Sequence, residues 1–133
     1  MSEVMQGLKY TKEHEWAKAD GNIVTVGITD YAQHALTDIV FVELPEKGKK
    51  VEKMKSFSVL ESVKSVSDVF APVSGEIVEV NKELSEKPQL INEGPYGKGW
   101  IAKIKARNIS ELNELMSAEQ YKDYVKTVEE KGK

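Results

Sequence analysis

Phe57-Ser58-Val59-Leu60-Glu61-Ser62-Val63-Lys64-Ser65-Val66-Ser67-Asp68-Val69-Phe70 is the stretch on which the fold turns. Apolar and polar residues alternate on both sides of a short break at Lys64-Ser65, the pattern of two half-buried strands that meet in a turn. A lysine there projects its amine away from the body. Such an amine can be acylated by a modifying enzyme, which removes its charge. A group on a long tether then visits several partner sites at high effective concentration. The chain holds 19 basic residues, all lysines but Arg107, and most lysines are plain solvated charges. The turn context is what sets Lys64 apart.

Working outward, most of the chain reads as short strands. Ile39 to Leu44 is a buried-type strand ending at Pro45, followed by a polar turn, Glu46 to Lys50. Downstream, Ala71 to Gly75 is a break and Glu76 to Val80 the next strand. A Gly/Pro-rich stretch from Asn92 to Gly99 leads into a strand from Trp100 to Lys105. Near the start, Leu8 to Tyr10 and Glu15 to Ala17 form the partner region of the β-branched strand Ile23 to Ile28, across an Asp20-Gly21 hairpin signal. A short helix begins at Thr29-Asp30, with Asp30 as its cap and Gln33 at the capping-box position. The tail, about 110–130, is helical, with Ser110 and Ser117 as caps. Its Tyr121, Tyr124, Val125 and Val128 fall at i, i+3, i+4 and i+7. Thr37 to Val42 resembles Gly75 to Val80, and each is followed by an aromatic-led strand, at Phe57 and at Trp100. Two such units related by a pseudo-two-fold make a flattened barrel or sandwich, with the Lys64 hairpin joining the halves at one end.

Composition narrows the function classes. The 133 residues are one domain's worth, with a core over about 8–107 and the helical tail added. Net charge is −3, and a lone arginine leaves almost nothing for bidentate phosphate or base reading, so nucleic acid is not an expected partner. No apolar run reaches membrane-spanning length, so no membrane partner is expected. The absence of cysteine excludes disulfides, zinc thiolates, iron–sulfur clusters and cysteine nucleophiles. The N-terminal Met1 to Gly7 has no signal or transit character. A cytoplasmic protein of a bacterium or archaeon is the simplest reading, and a mature mitochondrial form stays open.

Glu61-Ser62-Val63-Lys64-Ser65-Val66-Ser67-Asp68, followed by Pro72-Val73-Ser74-Gly75-Glu76-Ile77-Val78-Glu79-Val80-Asn81, closely resembles the lipoyl-lysine segment of the glycine cleavage system H protein family. The resemblance runs nearly the whole length. It takes in Tyr10 with His14-Glu15-Trp16, Val26-Gly27-Ile28-Thr29-Asp30-Tyr31-Ala32-Gln33, and Asp38 to Pro45. It continues through Leu90-Ile91-Asn92, Pro95-Tyr96-Gly97 with Gly99-Trp100, and a helix over Leu115 to Tyr121. It implies a barrel-sandwich hybrid, mainly β, with a short internal helix and a C-terminal helix. It also implies a non-catalytic carrier with lipoate in amide linkage on Lys64. The oxidised arm would accept the aminomethyl group of glycine from a pyridoxal-phosphate decarboxylase, the P protein. It would deliver that group to a folate-dependent aminomethyltransferase, the T protein, and be reoxidised by the flavin dihydrolipoamide dehydrogenase, the L protein. Lipoate-attaching enzymes would be further partners. A cysteine-free chain doing thiol chemistry must take its sulfur from a cofactor, and with no thiol of its own it forms no mixed disulfide with the arm.

The loaded arm ends in an amine expected to be cationic, and family residues from the regions of Glu15 and Asp68 line a cleft for it. Glu15 and Asp68 are therefore candidate acceptors. Ala35 stands where some members carry a histidine, with His34 one step earlier as the candidate for that role. Thr37 replaces a common glycine. Three rival readings remain open on the residues. Met54-Lys55 has the Met-Lys pairing of biotin carriers, although ten residues before the hairpin lysine. The same lysine could serve to relay lipoate to other complexes. A metal enzyme would need His14, His34 and carboxylates, but Glu13-His14-Glu15 read as extended puts the histidine opposite both glutamates, so no metal is expected.

Overall fold

The computed structural model describes residues 2–131. In chain order the elements are β1 (Lys9–Tyr10), β2 (Glu15–Asp20), β3 (Ile23–Ile28), α1 (Asp30–Leu36), β4 (Ile39–Glu43) and β5 (Lys50–Val51). They continue with β6 (Ser56–Ser62), β7 (Val66–Phe70), β8 (Gly75–Val80), α2 (Leu90–Glu93), β9 (Ala102–Ala106) and α3 (Ala118–Lys131). Two 3-10 turns, Lys82–Ser85 and Ile109–Glu114, lie between them. A six-stranded sheet runs β1-β2-β3-β9-β8-β5 and a three-stranded sheet runs β4-β6-β7, with every pair antiparallel. This is the flattened sandwich that the alternating pattern called for.

Alternate residues of each strand face inward and meet in one core. Val24, Val26, Ile77, Ile101 and Ile104 from the large-sheet side pack with Ile39, Phe57, Leu60 and Val69 of the small sheet. Each such side chain contributes about 1.5–3 kcal/mol of burial. A second cluster forms where α3 covers β1 and β2: Tyr10, Trp16, Ala118, Tyr121 and Val125, with Tyr10 stacked on Tyr121 at 4.5 Å. Ser2 and Val4 share a groove with Lys122, Val125, Lys126 and Glu129 of this helix.

The proposed internal repeat has a structural signature. The first unit pairs β4 with β6 in the small sheet, and the second pairs β8 with β9 in the large one. The register slips between Ile39 and Phe41 in the first pair and between Ile77 and Glu79 in the second. These are corresponding positions of the two similar segments, so each unit carries its bulge at the same step. A bulge sharpens local twist and bends the strand.

Four expectations need correction. The α1 cap is Thr29, whose extended backbone lets its Oγ1 accept the Ala32 N–H at 3.2 Å. Asp30 is the first helical residue, and its carboxylate is taken by the Glu3 N–H at 2.8 Å and by Gln33 Nε2 at 2.7 Å. The β4 strand is not buried throughout: its bulge turns Val40 and Phe41 outward, 53% and 51% exposed. The polar turn after Pro45 hides β5, which pairs with β8. The tail is two pieces rather than one helix. Asn108, not Ser110, caps the 3-10 turn, accepting the Ser110 N–H at 3.1 Å. The chain then extends so that Met116 exchanges two backbone hydrogen bonds with Tyr10. Ser117 does cap α3, in a reciprocal pair with Gln120.

Candidate functional site

The hairpin between β6 and β7 holds Lys64 at its tip. The Ser62 N–H donates to the Ser65 carbonyl at 2.8 Å, closing the turn around Val63 and Lys64. Ser62 Oγ accepts from the backbone N–H of Lys64 at 3.3 Å and of Ser65 at 3.1 Å, an ST-type turn that fixes the loop. The flank is braced from β4's side, where the Asp38 carbonyl accepts the Val63 N–H at 3.1 Å. Lys64 is exposed. Its neighbours Val63 and Val66 are each 67% exposed, and Glu61 stands in register between Val66 and the outward Phe41. A rigid turn that presents one free primary amine suits amide attachment of a carboxylic-acid cofactor.

β7 is an outer strand of its sheet, so its far edge has backbone groups to satisfy. Glu15 satisfies one: the Phe70 N–H donates to Glu15 Oε2 at 3.1 Å. Glu15 is 1% exposed, and its other oxygen accepts from the Thr11 hydroxyl. Burial raises its carboxyl to about 7, against the lowering effect of those two bonds. Thr11 also binds the turn itself, as Oγ1 accepts from the N–H of Glu13 at 3.2 Å and of Glu15 at 3.1 Å. His14 is not extended, as the sequence reading had it. It has φ 73°, which lets the turn aim its ring at the helix α3 while Glu15 aims at β7.

A scan against family descriptions matches residues 8–128 to "Glycine cleavage H-protein". A curated glycine cleavage system H protein of Carboxydothermus hydrogenoformans is 57% identical over 132 residues, 99% of each chain. A probable glycine cleavage system H protein of Pyrococcus horikoshii is 59% identical over 128 residues, 94% of each. The chain belongs to the glycine cleavage H-protein family. Among solved structures, the H protein of Mycobacterium marinum superposes with a TM-score of 0.81 at 41% identity, covering 89% of this chain and 95% of that one.

In this H-protein family member the expected site residues stand in three places. Asp68 lies on β7, exposed, with its Oδ1 accepting from Ser56 Oγ at 2.8 Å. Glu15 reaches the same strand two residues further along, at Phe70. His34 stands apart on α1, exposed and 3.4 Å from Asp30, in a groove with Tyr31, Ala35 and Glu129. No hydrogen bond joins the three to one another among the described residues. His14 lies among Tyr31, Tyr121 and Tyr124, and no cluster of metal-ligating side chains occurs among the described residues. Met54-Lys55 sits in the turn before β6, not on the hairpin. Sequence reading did not find Thr11 or the Phe70 amide as Glu15's partners. The Thr11-x-x-x-Glu15 spacing was a usable signal for the first; nothing local marks the second.

Proposed function

We propose that Lys64 is the residue through which this chain carries lipoate. Members of the family are lipoyl carriers, non-catalytic components that work with the P, T and L proteins of the glycine cleavage system. The observation that carries the assignment is the hairpin: an exposed primary amine at a turn closed by Ser62 and braced by Asp38. Attached lipoate supplies a reducible dithiolane that holds the aminomethyl group. The chain supplies the mooring, the reach and the shelter. The exposed valines on either side of Lys64 are what an enzyme must cover to draw the arm in.

For shelter we propose Asp68 and Glu15. A strand rises about 3.3 Å per residue, so Asp68 and Phe70 lie about 7 and 13 Å beyond Val66. An arm anchored at Lys64 and laid along β7 passes the exposed Asp68 and ends at Phe70, beneath which the buried Glu15 carboxyl acts through its charge rather than by contact. The proposal extends to His34, whose replacement tests whether the arm crosses α1. We also read the chain as a single domain, because α3 packs its Tyr121 and Val125 onto β1 and β2. We place it in the cytoplasm of a bacterial or archaeal cell. The named relatives come from both groups, and no helix of the described residues is long and apolar enough to cross a membrane.

The test is intact mass with site mapping of protein made in a lipoylating host. The lipoyl increment is expected on Lys64 and absent from Lys64→Ala, together with loss of glycine-dependent carbon dioxide release in the reconstituted system. An unmodified Lys64, or full activity of Lys64→Ala, overturns the assignment.

A further inference from the structure

The turn from Thr11 to Glu15 is gripped from two sides. On one side the C-terminal segment holds every second residue. Tyr10 exchanges both backbone bonds with Met116, the Lys12 carbonyl accepts from the Tyr124 hydroxyl at 3.1 Å, and His14 Nδ1 meets the Tyr121 hydroxyl at 2.9 Å. On the other side Thr11 holds the Glu15 carboxyl, which accepts the Phe70 N–H of β7. The two grips share the six residues from Tyr10 to Glu15, so movement of one is passed to the other.

The Tyr121 end of the grip is a continuous chain of hydrogen bonds. The Ala32 N–H donates to Thr29 Oγ1 as the α1 cap. Thr29 Oγ1 lies 2.7 Å from the Tyr121 hydroxyl. The chain is satisfied in either direction, Thr29 to Tyr121 to His14 Nδ1 or the reverse from a protonated Nδ1, and both leave His14 neutral. Burial, which lowers His14 to about 4, keeps it so at neutral pH. Tyr31, Tyr121 and Tyr124 face the ring from α1 and α3, and none brings a charge. The left-handed backbone of His14, φ 73°, persists only where surroundings enforce it.

We propose that Tyr121 and His14 are positioning residues for the carrier hairpin: α3, through them, sets the Thr11–Glu15 turn and thereby docks the Glu15 carboxyl on the free edge of β7. The α3 helix is then part of the machinery that holds the arm's bed in place, not only a cover for the aromatic cluster. Shelter of a loaded arm by Glu15 rests on the carrier reading, but the docking itself does not.

The test uses unlipoylated full-length protein, so failure of the carrier reading leaves it intact. Tyr121→Phe keeps the ring stacked on Tyr10 and deletes the hydroxyl. Phe70 amide exchange should quicken about fivefold, the loss of roughly one hydrogen bond's worth of protection. Amides of β9, remote in the sheet order, should keep their rates. The Glu15 titration, read by carboxyl-carbon NMR, should fall from about 7 toward the ordinary carboxylate range as water enters; Thr11 and Glu13 are the polar and charged side chains beside it. His14→Asn, which tolerates the left-handed backbone, should act the same way if Tyr121→Phe folds poorly. Unchanged Phe70 exchange or an unchanged Glu15 midpoint in the folded variant overturns the proposal, even if the variant is less stable.

Discussion

In the Thr11–Glu15 turn, burial acts on two neighbouring side chains with opposite consequences for pH. The folded Glu15 carboxyl titrates near 7. Between the ordinary carboxylate value and that point, the folded chain binds more protons than the unfolded one, so stability falls as pH rises. The folded His14 titrates near 4. Between there and the ordinary imidazole value the unfolded chain binds more protons, so stability rises with pH. Over most of the shared window the two slopes oppose each other, and above it the Glu15 loss stands alone. Glu15→Gln should remove the falling slope and expose the His14 rise from about 4 upward, as measured by urea unfolding between roughly pH 4 and 8. An unaltered profile contradicts the assignment. The β6–β7 hairpin was legible from the residues because a hairpin is a local object, written in fourteen consecutive letters. Glu15's task was not, because its partner is a backbone amide 55 residues away.

At the scale of elements, the α1–β4 connection stores strain beside the hairpin. Thr37 has φ 64° and ψ −152°, a region suited to glycine. Asn92 clamps the connection: its Oδ1 accepts the Ile39 N–H at 2.9 Å, and its Nδ2 donates to the Thr37 carbonyl at 2.8 Å. Thr37→Gly should therefore raise unfolding free energy by about 1–3 kcal/mol in denaturant titration, the strain released; a loss of stability sinks this account. The hairpin itself should behave in reverse. Replacing Val63 and Val66 by serine should leave stability within about 0.5 kcal/mol, since both are exposed. Attachment of lipoate should slow by about tenfold in kcat/KM, since the enzyme must cover that surface. Strands with one wet face were readable from alternation. β5 was not, because two residues carry no period, and β4 misled, because its apolar run includes two side chains that a bulge turns outward.

At the scale of the whole molecule, stability rests on the contact between the two sheets. Ile104 is fully buried and registers against Val24 on one side and Ile77 on the other. Ile104→Ala should cost about 2–5 kcal/mol through the cavity it leaves, read as a lower urea midpoint with unchanged slope. The fraction still folded should accept lipoate on Lys64 at the normal rate, because the hairpin is braced locally by Ser62 and Asp38. Repetition in the sequence hinted at the sandwich. The pairing of β3 with β9 was out of reach, because it joins segments far apart that only closure of the large sheet brings together.

The groove shared by Ser2, Val4 and residues 122–130 seats the first described residues against α3. Trimming Ser2 to Val4 should therefore quicken amide exchange in α3 before any change reaches the Lys64 hairpin.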